Sequence, residues 1–322
     1  MKLGFRLLST LAICAVPLLS HAGDYPSKPI TFIVPWQAGG SIDAVMRAMA
    51  QSASKTLGQP IVVDNKPGAG GTLGPAAMAA KEKPDGYTIA QVGAPLYRLP
   101  LIQKTNYDPE KDFTYIVNLA GITFGITAAP HTAFKSWADV VDYAKKNPGK
   151  LSYASPGQNT TPHLGMEQIS ALADIQLTHV PFKSSPETNT ARLGGHVDLQ
   201  VDGAGFKPLV DSGRVKLLAV WTSQRTKRWP DAPTLKDLGY PLVIESPIGI
   251  AGPKGMDPKV VSKLHDAFRA ALEDPDVRRT MAEFEFVPAY QGSEDFAKFV
   301  VQSRKDEKAV LNRLGVLRAD LK

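Results

Sequence analysis

Short apolar runs rich in β-branched residues alternate along this chain with stretches whose apolar positions recur at helical spacing. Ile30-Thr31-Phe32-Ile33-Val34 is the first run and reads as a buried strand. Pro35 to Gly40 breaks it. From Ser41 or Asp43 onward, Ile42, Val45, Met46, Met49, Ala50, Ala53 and Leu57 fall close to one face of a helix. Gly58 then closes that helix in the left-handed conformation glycine tolerates. Ile61-Val62-Val63 predicts a second strand, and the glycine turn from Pro67 to Gly71 opens a helix toward Lys81. After Pro84-Asp85-Gly86, Tyr87 to Val92 predicts a third strand. Strands separated by helices in this order make a βαβαβ unit.

The same plan recurs. Leu151 to Tyr153 predicts a strand, Ser155 to Pro162 a loop of small and polar residues, and His163 to Leu172 a helix. Strands at Gln176–Val180, Val197–Val201 and Val215–Val220 alternate with helices at Glu187–Leu193 and Lys207–Asp211. Three helices follow, at Pro258–Leu272, Asp276–Phe284 and Ser293–Leu314. Two units built alike predict an α/β, two-lobed fold, each lobe a mostly parallel sheet flanked by helices. The apolar, glycine-punctuated segments Phe124–Ala128 and Ile244–Ala251 are the expected crossovers. They assign 23–125 with 248–322 to lobe 1 and 126–247 to lobe 2.

The N-terminus is patterned differently. Lys2 and Arg6 precede an uncharged run from Leu7 to Leu19, and Ser20-His21-Ala22 places small residues where a signal peptidase reads. A bilayer span needs about 20 apolar residues, so this run reads as a secretory signal, residues 1–22, with cleavage expected after Ala22 and export of the mature chain. Cys14, the only cysteine, lies inside it. The mature chain therefore lacks thiols and with them disulfides, a thiolate nucleophile and a cysteine metal site. Its formal charge is +4, from 35 basic and 31 acidic residues once Lys2 and Arg6 are removed. The charges are scattered, without a basic block, which disfavours a nucleic-acid partner. The histidines show no i,i+4 ligand spacing, so no metal is expected, and no cofactor.

Two strand-to-helix loops carry candidate chemistry: Trp36-Gln37-Ala38-Gly39-Gly40-Ser41, and Ser155-Pro156-Gly157-Gln158-Asn159-Thr160-Thr161. Ligands of α/β sheets bind at the carboxyl ends of the strands. Helix starts there present unpaired N–H groups and partial positive charge. Glycines admit the ligand to the backbone, and hydroxyls add donors. Two such loops facing one cleft can hold a carboxylate without an arginine. Gly93, just after the third strand, joins this candidate set. The glycines at 68, 70 and 71 lack the Gly-Lys-Ser/Thr ending of a phosphate loop and read as a helix-start turn. No Gly-x-Ser-x-Gly elbow occurs.

An ordered series of motifs adds to this reading. IVPWQAGGSID (33–43), NKPGAGGTLG (65–74) and PDGYTIA (84–90) are followed by NPGKLSYASPG (147–157) and HVPFK (179–183). LGGHVD (193–198), LLAVWTSQR (217–225) and DAPTLKDLGYP (231–241) close the series. Together they resemble the Bug family, substrate-binding receptors of tripartite tricarboxylate transporters, over essentially the whole mature chain. The resemblance implies a type II periplasmic binding protein fold, a Venus flytrap, capturing organic acids for the transporter's membrane components. It implies no catalysis and a monomer. It carries Gly39, Gly40, Asp43, Gly157 and His163 into the ligand grip. Trp36-Gln37-Ala38 and Ser184 depart from the family pattern, and so do the residues near Glu187-Thr188.

Individual side chains keep alternatives. Asp43 caps the first helix or touches ligand. His163 donates to ligand or to backbone, and Phe182 walls the cleft or packs in the core. Asp202 ends a strand, where it can meet a ligand amine or hydroxyl. Two rival functions remain: a ligand-sensing partner of a membrane signalling protein, and a periplasmic hydrolase or transferase needing a nucleophile–base pair at the cleft.

Overall fold

The computed structural model describes residues 25–321, so the signal segment 1–22 and its cleavage point lie outside the described residues. Two sheets, each covered by helices, organise the chain. β1 (Ile30–Val34) pairs in parallel with β2 (Ile61–Asn65) on one side and β3 (Thr88–Val92) on the other. Between them run α1 (Ser41–Leu57) and α2 (Leu73–Lys81). The apolar stripe of α1 is buried at Val45, Met46, Met49, Ala50 and Ala53, and Gly58 caps the helix at φ 67° with its N–H on Ser54 O. A further helix, α3 (Ala94–Ile102), starts immediately after β3.

The crossing between sheets is abrupt. β4 (Phe113–Ile122) belongs to the first sheet, and β5 (Phe124–Ala128), one residue later, belongs to the second. The second sheet continues through α4 (Trp137–Lys146), β6 (Ser152–Ser155), α5 (Thr161–Ala173), β7 (Thr178–Pro181), α6 (Ser185–Leu193) and β8 (Leu199–Gly203). It ends with α7 (Lys207–Asp211) and β9 (Lys216–Val220). The chain then returns as β10 (Ser246–Pro253), wedged antiparallel between β3 and β4. α8 (Pro258–Ala271) and α9 (Pro275–Glu283) pack on α1, β11 (Phe286–Gln291) extends the first sheet, and α10 (Ser293–Arg313) packs on α3 and β4. The strand orders are β11-β4-β10-β3-β1-β2 and β7-β6-β8-β5-β9.

Both sheets are mixed. β1 to β4 run one way, with β10 and β11 against them; β6 to β9 run one way, with β5 against them. The sheets are thus mostly parallel, and the opposed strands include β5 and β10, which carry the chain across. The parallel strands aim their carboxyl ends, and the helix starts that follow, at the space between the sheets.

Packing holds the crossovers rigid. Trp221, fully buried, donates its backbone N–H to Phe124 O and accepts from Ile244 N, tying outgoing and returning segments together. Gly165 on α5 lies flat against the Trp221 ring, with a hypothetical Cβ only 2.5 Å from it. In β10, Gly249 is covered by the ring of Phe296, itself fully buried against Tyr115 at 5.0 Å between centroids. Any side chain at 249 would overlap that ring. Gly249→Ala is expected to cost about 1–3 kcal/mol of overpacking, read as a lower urea midpoint at unchanged slope. A midpoint equal to wild type would show that the Phe296 contact is loose.

Candidate functional site

Where the two sheets face each other, the starts of four helices converge on one chamber. The residues preceding α1, α3, α5 and α6, namely Gly40, Gly93, Thr160 and Ser184, all border it. The first three helices have no side-chain cap, whereas α4, α8 and α9 are capped by Ser136, Asp257 and Asp274. Uncapped starts also occur at α2 and α10, so it is the convergence that distinguishes the chamber. The first amides of a helix have no intrahelical acceptor, and the helix dipole adds positive potential there. In α1 the helical ladder begins only with Ala44 N–H on Gly40 O, which leaves Ser41, Ile42 and Asp43 without an intrahelical bond.

The crossing strands form the floor, with Ile122 and Phe124 from one and Ser246 and Pro247 from the other. Trp36, Ile42, Pro95, Pro156 and Pro186 make apolar walls. Space for water centres is ≈ 60 Å³, where one water needs about 10–15 Å³. In this closed arrangement the chamber suits a few waters or a small organic molecule. The charged side chains bordering it are Asp43 and Asp202; among the described residues no Lys, Arg or His does so.

Asp43 serves the loop before α1. It accepts from Gly39 N–H at 3.0 Å, Arg47 Nε at 3.0 Å and Asn65 Nδ2 at 2.8 Å. Burial pushes its pKa up, but the bonds from Arg47, Asn65 and Gly39 outweigh that and hold it below the usual carboxylate value. Asn65 also donates to Trp36 O, and Trp36 Nε1 donates to Gln91 Oε1 at 3.0 Å. The Trp36 ring lies on Gly71, whose φ is +91° and whose added Cβ would stand 2.7 Å from the ring. The glycine turn at 68–71 is therefore the seat of Trp36.

The second loop is held by its own side chains. Thr160 Oγ1 and Ser155 Oγ both donate to Gly157 O. A 2.7 Å hydrogen bond joins Ser155 Oγ to His179 Nε2, its direction set by the histidine tautomer. Asn159 N–H donates to His163 Nδ1, and the His163 ring stacks on His179 at 4.0 Å. Burial, then the Arg98 charge, pull His163 down to about 4; burial, then His163, pull His179 down to about 3. Both rings are neutral at neutral pH.

Asp202 is 2% exposed and accepts from Ser185 Oγ, Thr188 Oγ1, Gln200 Nε2 and Gly203 N–H. Burial raises its pKa to about 6 against those bonds.

Contacts that bind the lobes to each other include a bond at the mouth, a buried arginine and an apolar cluster. Gln37 Nε2 donates to Glu187 Oε1 at 3.1 Å across the cleft mouth. Arg98, 4% exposed on α3, is paired with Glu307 on α10 and reaches Thr161 Oγ1 at 3.2 Å and Asn159 O at 3.4 Å on the other side. Leu164 of α5 packs with Leu101, Leu311 and Leu317.

Of the residues the sequence nominates, Trp36, Gln37, Gly40, Ser41, Asp43, Gly93, Thr160, Thr161 and Asp202 border the chamber. Gly157 and Phe182 border an outer recess beyond Trp36 and Gln37, together with Lys183. Ala38 and Gly39 are exposed at the loop tip. Ser155, Asn159 and His163 form the support behind the second loop. Sequence reasoning missed Gly71, Pro95, Ser185 and Gly203 as lining, and the floor residues as well. Phe124, Ser246 and Pro247 of the floor fall within the expected crossovers, 124–128 and 244–251, whereas Ile122 does not.

Arg98→Met should open the unliganded protein. The change removes the Arg98 bonds to Thr161 Oγ1 and Asn159 O across the cleft, and a hydrogen bond from a charged group contributes about 1.5–3 kcal/mol. Small-angle scattering should record a larger radius of gyration for the variant. An unchanged radius with lowered stability would confine the role of Arg98 to its own lobe.

Comparison with known proteins agrees with this architecture. The model of the tripartite tricarboxylate transporter family receptor matches residues 45–316. The UPF0065 protein in the gbd 5′ region of Cupriavidus necator is 45% identical over 311 residues, covering 97% of this chain and 95% of that protein. The periplasmic binding protein BugD superposes with a TM-score of 0.86 at 30% identity, over 91% of this chain and 99% of BugD. R. palustris Rpa4515, solved with adipate, gives 0.86 at 27% identity, over 91% and 99%. With a two-lobed α/β fold and this match along its length, the chain belongs to the tripartite tricarboxylate transporter receptor family, the Bug-type periplasmic solute-binding proteins.

Proposed function

We propose that this receptor captures a small organic carboxylate between lobe 1 (23–125 and 248–322) and lobe 2 (126–247). As a periplasmic monomer freed of residues 1–22, it delivers the acid unchanged to the membrane components of a tripartite tricarboxylate transporter. The observation that carries the reading is the convergence of the α1, α3, α5 and α6 starts on a chamber bordered by no cation. The adipate bound by Rpa4515 supports the ligand class.

The energetics are adequate. Micromolar affinity needs about 8 kcal/mol. A helix start contributes roughly 0.3–2 kcal/mol to an anion, and a hydrogen bond to a charged group about 1.5–3 kcal/mol. Four or five such bonds reach that range, less the cost of closing the lobes.

A hydrolytic reading gains nothing from the Ser155–His179 contact. Ser155 is fully buried and does not border the chamber, so its hydroxyl is out of reach of a molecule held there.

A thermal-shift panel of organic acids, followed by native mass spectrometry, tests the proposal. One acid should raise the melting temperature saturably, as expected for about 2.7 kcal/mol at 100 times its Kd, and appear intact at one per chain. A panel with no stabilising acid, or conversion of the bound acid to product, would overturn it.

A further inference from the structure

We propose that the chamber selects a monocarboxylate with an uncharged, apolar body and rejects acids that carry a second carboxylate. The inference rests on the carboxylate-receptor reading and narrows it.

The seats available to an anion are unequal. α3, α5 and α6 each carry a proline in their first turn, Pro95, Pro162 and Pro186, and all three border the chamber. Proline has no N–H, so each of these starts has lost one of the amides that would face an anion. α1 begins Ser41-Ile42-Asp43 and keeps its full set, with the Ser41 hydroxyl beside it. The chamber therefore offers one complete carboxylate seat.

Away from α1 a second carboxylate meets the apolar surfaces of Phe124, Ile122, Trp36 and Pro247 and the neutral hydroxyls of Thr160, Thr161, Ser184, Ser185 and Ser246. Among the described residues no cation borders the space, Arg98 standing behind Thr161. The negative groups present are differently balanced. Asp43 is neutralised by Arg47 at 3.0 Å. Asp202 has no such partner: its four donors are Ser185, Thr188, Gln200 and Gly203, all uncharged. The buried Arg192 guanidinium in the same lobe donates instead to Thr127 and Asn189. Because protein donors already occupy both Asp202 oxygens, this carboxylate does not need a ligand amine or hydroxyl. Its effect on an occupant is repulsion, which low dielectric strengthens. One carboxylate can be accommodated at the complete α1 start, whereas a second must lie against hydrocarbon or exchange its hydration for neutral hydroxyls at proline-depleted helix starts, within the field of Asp202.

Matched ligands test this on the mature wild-type chain. Hexanoate, hexanamide and adipate share one chain length, as do butanoate, butanamide and succinate. Titration calorimetry at pH 8 keeps every acid ionised. In at least one series the monoacid should bind, about tenfold or more tighter than its dicarboxylate and its amide. A dicarboxylate that binds as tightly as its monoacid, with the amide weak, overturns the selectivity and leaves the carboxylate reading standing. An amide equal to its acid, or no binding by any of the acids, removes the carboxylate reading and this inference with it.

Discussion

A helix start buried away from water must give its unpaired amides an acceptor. In this receptor several such starts are directed into one chamber, and among the described residues no cationic side chain borders it, Arg98 lying behind the start of α5. That constraint organises the rest of the structure. Parallel strands deliver their following helices to one end of each sheet, and the crossing at Thr123 turns the two ends toward each other. Under the proposed reading, an anion in the chamber would complete hydrogen bonds that the protein alone leaves unmade. Closing the lobes also excludes the water that would otherwise weaken those bonds.

Much of the polar chemistry near the chamber is support rather than contact. Asp43 fastens the glycine loop, Asn65 fastens Trp36, and the His163–His179 stack backs the second loop. Across the cleft, Gln37–Glu187 closes the mouth, and Arg98 joins α3 and α10 to the start of α5. The single part-buried Gln37–Glu187 bond, made to a carboxylate, contributes about 1.5 kcal/mol. The bonds of buried Arg98 to Thr161 and Asn159, with Glu307 holding the guanidinium in place, and the Leu164 cluster weigh more, so closure rests mainly on α3, α5 and α10.

Strands and helices with a clean period were legible in the sequence. The α1 stripe from Val45 to Ala53 and the Gly58 cap were readable because burial on one face imposes its own spacing. α3 was not, since Ala94 to Ile102 is apolar nearly all round and contains Pro95 and Pro100, which read as breaks. α5 and α6 begin two residues before the expected positions, because proline fits a helix's first turn. At the site, the two glycine loops were legible through turn chemistry. The inward turn of His163 onto His179 depends on a residue sixteen positions away in the chain and has no local signature. Asp202 was readable as a strand end, but its four donors come from α6 and β8 and emerge only with the fold.

The central claim is that backbone amides, and no cationic side chain, hold the ligand's charge. A crystal structure of the complex with the tightest-binding acid tests it most directly. The account predicts carboxylate oxygens within hydrogen-bonding distance of the Ser41 and Ile42 amides, with no Lys or Arg side chain in contact. A carboxylate paired with Lys183 in the outer recess, or with Arg98 swung into the chamber, would contradict it.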